Sequence, residues 1–358
     1  MDINERIKLI KEVGEEIVTE DELTELLNSK KEIIAYDGFE PSGKIHIAQS
    51  VIRTININKL IKAGIKFKMF VADWHAWANN KMGGDLEKIQ TVGKYFIEVW
   101  KACGMDLDNV EFVFASDLVK DENYWKIVMD VSRNSTLKRV LRCSQIMGRN
   151  ESDSLSAAQI LYPCMQTADI FYLKADICQL GLDQRKVNML AREIGPKIGF
   201  YKPISISHRM LLGLIQQNSE AENAVDRAIE LKMSKSKPDS AVFVTDTKDE
   251  IVKKINKAYC PEGIKEDNPI LEYCKYIIFE KFDCFKINRP EKFGGDISFN
   301  SYNELENSFV KKELHPGDLK KSVGLYINEI IDPIRKHFEN DSNARELLEK
   351  VKSYQVTR

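Results

Sequence analysis

The residue types that could do chemistry gather in two short stretches, His46-Ile47-Ala48-Gln49 and Lys232-Met233-Ser234-Lys235-Ser236. The first follows an apolar, strand-like run, Ile33-Ile34-Ala35-Tyr36, and a Gly/Pro turn, and it opens a helix-like segment. A helix start presents unpaired N–H groups and the positive end of the helix dipole, a setting that favours phosphate. The second stretch lies in polar sequence before Pro238 and puts two lysines on a small-residue loop. Read alone it is equally a solvated turn.

Between the first strand and His46, Gly38-Phe39-Glu40-Pro41-Ser42-Gly43-Lys44 fits the start of a P-loop, G-x-x-x-x-G-K. The next residue is Ile45, where that loop needs Ser or Thr to hold Mg²⁺, and Pro41 removes an N–H from a loop that works by presenting N–H groups. The better reading is that Gly38 and Gly43 allow a tight turn close to a flat ligand, with the helix start at His46 facing phosphates. Asp169 is a third signal. It lies in the apolar stretch Ala168 to Leu173, where a carboxylate needs a partner. Tyr36 and Tyr162 read without further context as packed tyrosines with satisfied hydroxyls.

The elements that must hold these groups alternate between strand and helix up to about residue 230. Residues 3–29 have helical spacing of Ile7, Ile10, Ile17, Leu23, Leu26 and Leu27. Ile33–Tyr36 is a short buried strand, 46–62 a helix closed at Ala63-Gly64, and Phe67–Ala72 a second strand. Asp85–Cys103 is an amphipathic helix stopped by Gly104, and Val110–Ala115 a third strand. This alternation implies an α/β fold with a Rossmann-like, doubly wound parallel sheet, which binds ligands at the carboxyl ends of its strands. Tyr36-Asp37-Gly38 and Asp73-Trp74-His75 fall at such ends. After Pro238 the chain turns mostly helical, at 249–258, 268–282, 304–312 and 317–338, with a Pro/Gly-punctuated connector at 288–302. The expected division is a helical extension over 1–30, a catalytic domain over 31–238 and a helical domain over 239–358.

Composition narrows the classes. Hydrophobic residues make up 43% of 358, enough for real cores, and no run approaches the ~20 apolar residues of a membrane span. The 53 basic and 55 acidic residues leave a net charge of −2, so a nucleic-acid partner would have to meet a local basic face. The seven cysteines are odd in number and lack a CxxC pair, which reads as reduced thiols and not as zinc ligands or disulfides. The N-terminus has no signal- or transit-peptide character, and the cytoplasm is the expected compartment.

Taken together and in this order, the two stretches resemble the nucleotide-binding motifs of class I aminoacyl-tRNA synthetases. The resemblance sharpens along the chain. Tyr36 to His46, Tyr162-Pro163-Cys164-Met165-Gln166-Thr167-Ala168-Asp169 and Gly181-Leu182-Asp183-Gln184-Arg185-Lys186 look like active-site segments of the tyrosyl-tRNA synthetase family, archaeal and eukaryotic branch. Arg289 to Asp296 and Glu313 to Lys320 look like its anticodon-binding segments. The family's first motif often ends in a second His. Here Gln49 stands there, able to donate a hydrogen bond but not to carry charge.

The resemblance implies a role for each matching residue. His46, Gln49, Lys232 and Lys235 would be catalytic, His46 donating to the α-phosphate and the lysines clamping the departing pyrophosphate. Tyr36 and Asp169 would contact a phenolic hydroxyl, and Tyr162, Gln166 and Gln184 an α-amino group. Gly38, Glu40, His46, His75, Gly181, Asp183, Met233, Ser234 and Lys235 would line the ATP site, with Asp183 a candidate for the ribose hydroxyl. Arg185 and Lys186 would meet the acceptor end of the tRNA, and Phe293, His315 and Asp318 the anticodon. Asp318 could instead cap a helix, and His75 could cap one or pack in a core. Mg²⁺ would bridge ATP phosphates, with no protein metal site, and an insertion at about 120–165 would form a homodimer. The expected partners are L-tyrosine, ATP and tRNA(Tyr), with no membrane. A tryptophan-specific relative shares the fold, but Tyr36 and Asp169 suit a phenol better than an indole N–H. Two further readings compete: a non-catalytic tRNA-binding relative, and a P-loop nucleotide enzyme.

Overall fold

Strands buried on both faces must be covered on both faces, and the central strands of the sheet are of this kind. The computed structural model describes residues 1–148, 154–216, 219, 221, 223–235 and 237–354, apart from the side chains of Ala224 and Phe293. Its main sheet comprises β1 (Gly14–Val18), β2 (Ile34–Phe39), β3 (Lys66–Val71), β4 (Val110–Phe114), β5 (Ile177–Gly181) and β6 (Ile204–His208). They lie in the order β1-β6-β5-β2-β3-β4, all parallel except β1, which runs antiparallel on β6. The direction of winding reverses between β2 and β5, which is where a doubly wound sheet opens a crevice for ligands.

Successive residues of β2 serve opposite layers. Ala35 and Phe39 belong to one core with Phe67, Met69, Phe96 and Trp100, under the helices Arg53–Lys62 and Leu86–Ala102. Tyr36 belongs to the other, with Phe70, Cys178, Leu180, Ile170 and Leu190, under the helices Ala157–Tyr172 and Arg185–Ile194. The first core runs without a break into the helices Lys248–Lys257, Pro316–Asn340 and Ser342–Ser353. Tyr95 packs on Phe338 with ring centroids 5.4 Å apart, and His337 Nε2 lies 2.9 Å from Glu98 Oε2.

Three expectations change. Residues 3–29 are not one helical stretch. Helices Ile3–Val13 and Glu20–Ser29 flank β1, because Ile17 packs as a strand residue once β6 offers it an edge. The segment 46–62 is not a uniform α-helix. Ala48–Ile52 form a wider π-helical turn before the α-helix Arg53–Lys62, an irregularity often found at functional sites. Within the 288–302 connector, Ile297–Phe299 pair with Phe285–Ile287 as a two-stranded hairpin, β8 with β7.

Candidate active site

The helix Ala157–Tyr172 is started by a capping box, Ser156 with Gln159, and carries Tyr162, Gln166 and Asp169 at spacings that share one face. That face lies against β2 and its neighbours. Asp169 is 1% exposed and has one hydrogen-bond partner and one close ion-pair partner. Tyr124 Oη donates to Oδ1 at 3.0 Å, and His75 Nε2 lies 3.0 Å from Oδ2, itself 1% exposed. Burial alone would push the His75 pKa down; the Asp169 charge beside it prevails and raises it. The same burial raises the hydroxyl pKa values of Tyr36, Tyr124 and Tyr162, with Asp169 or Glu40 nearby adding to it. These phenols stay neutral.

The other predicted pocket residues gather here. Gln166 Nε2 donates to Gln184 Oε1 at 3.1 Å, and Gln184 Nε2 to the Ile146 carbonyl at 3.1 Å. Tyr162 meets His75 edge-on at 4.9 Å. Among the described residues, the Tyr36 hydroxyl and Gln166 Oε1 are buried without a hydrogen-bond partner. Buried polar atoms of this kind are costly unless something binds them. Glu40 accepts from Asn79 Nδ2 at 2.9 Å and lies 3.4 Å from Lys81 Nζ.

The His46 stretch is tied by backbone to Val242–Val244, the segment that follows the second motif. Ile47 N donates to Val242 O at 2.8 Å, and Val244 N to Ile45 O at 3.3 Å. Upstream, Met233 N donates to Leu211 O at 2.9 Å. His46 is 7% exposed, and its Nδ1 has no partner among the described residues. Burial and the nearby Lys235, Lys232 and Arg53 charges hold its pKa well below the usual histidine value, so it is a neutral donor. Lys235 Nζ donates to the Ser42 carbonyl at 2.7 Å and sits 4.9 Å over the Phe96 ring. Burial, helped by Lys81, pulls it down to about 7. Lys232 Nζ donates to Asp183 Oδ2 at 2.6 Å. Gln49 turns its side-chain oxygen inward, unpartnered among the described residues, while its carbonyl accepts from Trp100 Nε1 at 2.9 Å. Ser234 O accepts from Lys237 N at 3.3 Å; Ser236 lies outside the described residues.

The glycines divide. Gly43 has φ +58°, as a tight turn requires, whereas Gly38 lies inside β2 paired with Phe70 and makes no turn. Gly181 leaves no room for a Cβ, which would come within 2.6 Å of Asp183 Oδ1 and 2.7 Å of Met210 Sδ.

The RNA-facing candidates are less uniform. Arg185 Nε is engaged with Glu16 Oε2 of β1 at 2.7 Å, and Lys186 is half-buried next to it. His315 is exposed and caps the helix Pro316–Asn340 by accepting from Gly317 N at 3.0 Å, so Asp318 is a first-turn residue and not the cap. Arg289 ties the two predicted anticodon segments together, donating to the carbonyls of Gly295 at 2.9 Å and Glu313 at 3.1 Å. The side chain of Phe293 lies outside the described set.

Residues that the sequence did not single out complete the centre. Tyr124 falls on an ordinary apolar face with Val128 and Val131, and Asn79 in a plain polar pair, so neither carried a signal. Arg53 lies about two helical turns beyond His46 and pairs with buried Asp37, Nε to Oδ2 at 2.7 Å. Burial raises Asp37 to about 7 even though Arg53 pulls the other way.

Residues 28–332 match the family described as tRNA synthetases class I (W and Y). The chain is 52% identical to tyrosine–tRNA ligase 1, cytoplasmic, of Arabidopsis thaliana, covering 100% of this chain and 90% of that one. It is 44% identical to the tyrosine–tRNA ligase of Saccharolobus islandicus strain M.14.25, over the full length of both. Among solved structures it resembles the Pyrococcus horikoshii tyrosyl-tRNA synthetase complexed with L-tyrosine, with TM-score 0.91 and 39% identity over 99% of this chain and 100% of that one. It also resembles the Leishmania major tyrosyl-tRNA synthetase in complex with tyrosinol, with TM-score 0.90 and 44% identity; the match covers 100% of this chain but spans only 61% of the Leishmania chain.

Proposed function

The chain belongs to the class I tRNA synthetases of the tryptophan and tyrosine family, and we propose that within it this protein activates L-tyrosine with ATP and transfers it to tRNA(Tyr). The observation that carries the choice of tyrosine is the buried acceptor Asp169, oriented by Tyr124 and His75, facing the side of the sheet where the Tyr36 hydroxyl waits without a partner among the described residues. A phenol satisfies both groups; an indole N–H offers a donor but no acceptor. The Arabidopsis and Saccharolobus relatives are tyrosine enzymes, so tryptophan is the weaker reading.

In the first step a carboxylate oxygen of tyrosine attacks the α-phosphorus in line. The bond from that phosphorus to the bridging oxygen breaks, and pyrophosphate leaves. No proton has to move, so the work is positioning and charge stabilisation. His46, neutral and at a helix start, donates to the crowded α-phosphate. Lys232 and Lys235 receive the departing negative charge, and Gln49 can donate nearby. Tyr162, Gln166 and Gln184 hold the α-amino group. Glu40 and His75 support the pocket, and Gly38, Gly181, Asp183, Met233 and Ser234 border the nucleotide. Mg²⁺ would arrive with ATP, and its charge would offset that of the phosphates. In the second step the terminal ribose hydroxyl of tRNA attacks the adenylate carbonyl, the carbonyl–phosphate oxygen bond breaks, and AMP leaves with the hydroxyl proton passing to its phosphate. Arg185 and Lys186 lie on the acceptor side. Residues 239–358 form the anticodon-reading part, with Phe293, His315 and Asp318 its readers.

Assembly as a homodimer is supported by exposed apolar side chains on and near the expected insertion. Trp77, Met129 and Leu137 are 45%, 56% and 60% exposed, and Trp74 packs between Trp77 and Trp125 beneath. Among the described residues no helix is long and apolar enough to cross a membrane, and the Arabidopsis relatives are named cytoplasmic, which supports the cytoplasm as compartment. Tyrosine-dependent ATP–pyrophosphate exchange, followed by charging of tRNA(Tyr), tests the function. Exchange driven by tryptophan and not by tyrosine overturns it.

A further inference from the structure

His208 takes no part in the chemistry assigned to His46, Lys232 and Lys235. It ends β6, one strand from the switch point, and is half-buried. Gln179, fully buried in β5, brings its side-chain nitrogen to 2.6 Å from His208 Nδ1. With the Gln179 nitrogen turned to the ring as donor, Nδ1 accepts and the ring proton resides on Nε2. Burial, with Arg53 nearby, drives the ring down to about 3, which leaves a neutral imidazole with one N–H at any physiological pH.

That N–H lies at the nucleotide end of the sheet. A Cβ built on Gly181 would meet Asp183 Oδ1, Met210 Sδ and, at 3.6 Å, His208 Nε2. Three side chains therefore converge over one α-carbon at the carboxyl end of β5. Lys232 reaches the same place by its bond to Asp183, and the Met233 backbone passes along Leu211 just beyond Met210. The phosphates already have His46, Lys232 and Lys235. An uncharged single donor suits the uncharged half of the nucleotide, whose ring nitrogens and ribose oxygens are acceptors.

We propose that His208 is an ATP-binding residue whose Nε2–H donates to an acceptor on the adenosine half of the nucleotide, with Gln179 as the positioning residue that fixes its tautomer. The proposal rests on the reading of ATP as the substrate. It assigns a role to a histidine flanked in sequence by Ser207 and Arg209, where nothing in the motif pattern marks it.

The test compares wild type, His208→Ala and His208→Gln, whose amide nitrogen can replace the Nε2 donor. In tyrosine-dependent pyrophosphate exchange, His208→Ala should raise the KM for ATP about 10-fold, the loss of one neutral hydrogen bond. The KM for tyrosine, and that for pyrophosphate in the reverse direction, should stay within about twofold on the same reasoning, and His208→Gln should recover most of the ATP effect. An unchanged ATP KM overturns the assignment, as does an equal rise for ATP and tyrosine, which would mean a structural role. Calorimetric binding of ATP alone to wild type and His208→Ala reads the same contact without catalysis. A loss of ATP affinity there supports His208 even if wild type fails to exchange with tyrosine, the result that would sink the functional reading instead.

Discussion

Lys232 Nζ stands 2.6 Å from Asp183 Oδ2, a bond that joins the second motif to the end of β5 across the mouth of the crevice. The neighbouring cation holds the Asp183 carboxyl below its ordinary range against the opposing effect of burial. The bond holds the lysine on the carboxylate just past the end of β5. On the proposed reading, Lys232 exchanges Asp183 for the departing pyrophosphate during the reaction. Lys232→Ala should lower the rate of adenylate formation by about 10²-fold, as for loss of a group that stabilises developing charge. Asp183→Asn should weaken ATP binding, and the double variant should lose less than the product of the two, because each single change strands the other partner. Stopped-flow fluorescence of the first turnover measures all three. Strict multiplicativity would show that the bond has no part in the cycle.

Lys235 gives a proton-linkage prediction. Burial holds it down to about 7 in the ligand-free protein, so at pH 8 most of it is neutral. Triphosphate favours the ammonium form and raises that value. ATP binding at pH 8 should take up close to one proton, and the uptake should vanish toward pH 6, where the lysine is already charged. Calorimetry in two buffers of different ionisation enthalpy reads the number directly. Lys235→Met should abolish it; an uptake that persists in this variant assigns the proton to another group.

The pair of His75 with Asp169 should appear in the pH dependence of stability. Its folded pKa lies above the ordinary value of 6.5. The histidine therefore stabilises the fold fully below about 6.5, and that contribution is lost as pH rises through the folded value. The melting temperature of wild type should exceed that of His75→Gln by more at pH 6 than at pH 9. A constant difference would mean that the ring is held neutral throughout.

Three of the six strands of the sheet and the two motifs were legible because both depend on local pattern, whereas β5 and β6 went unread. β2, β3 and β4 are short apolar runs bounded by turn residues, and His46 and Lys235 stand out by type and place. β1 was hidden because Ile10 and Ile17 also fit a helical period, and only the edge offered by β6 decides between them. The π-helical turn at Ala48–Ile52 has no sequence mark. Tyr124 and Arg53 were illegible for a related reason. Each occupies a helical position that reads as ordinary packing or solvated charge, and its role exists only because Asp169 or Asp37, distant in sequence, lies opposite. Partners that meet across elements leave no spacing to read.

His46 should carry the largest single effect on the first step. It is buried, neutral and unpartnered at Nδ1 among the described residues, at the start of the helical segment proposed to meet the phosphates. His46→Ala should slow adenylate formation by about 10²–10³-fold with little change in tyrosine affinity. Rapid-quench measurement of the adenylate separates the two. A variant that binds tyrosine poorly but reacts at the normal rate would place His46 in the pocket wall instead.

Discrimination between tyrosine and phenylalanine should rest on Tyr36 together with Asp169, and the two should fail differently. The Tyr36 hydroxyl is buried with no partner among the described residues, so its removal strands nothing. Tyr36→Phe should leave the fold intact and cost tyrosine one neutral hydrogen bond, about 10-fold in kcat/KM, while phenylalanine, which never made that bond, loses little or gains. Asp169 is tied to Tyr124 and His75, so Asp169→Ala also leaves a buried phenol and a buried imidazole unpaired. It should lower the melting temperature as well as collapse the specificity ratio. Asp169→Asn keeps an acceptor for Tyr124 and separates the two effects: stability should largely return, yet selectivity should stay impaired, because the amide has lost the charge that strengthens the bond to the phenol. The comparison is kcat/KM for both amino acids in all four proteins. If Tyr36→Phe and Asp169→Asn lower both amino acids by the same factor, these residues shape the pocket without reading the hydroxyl.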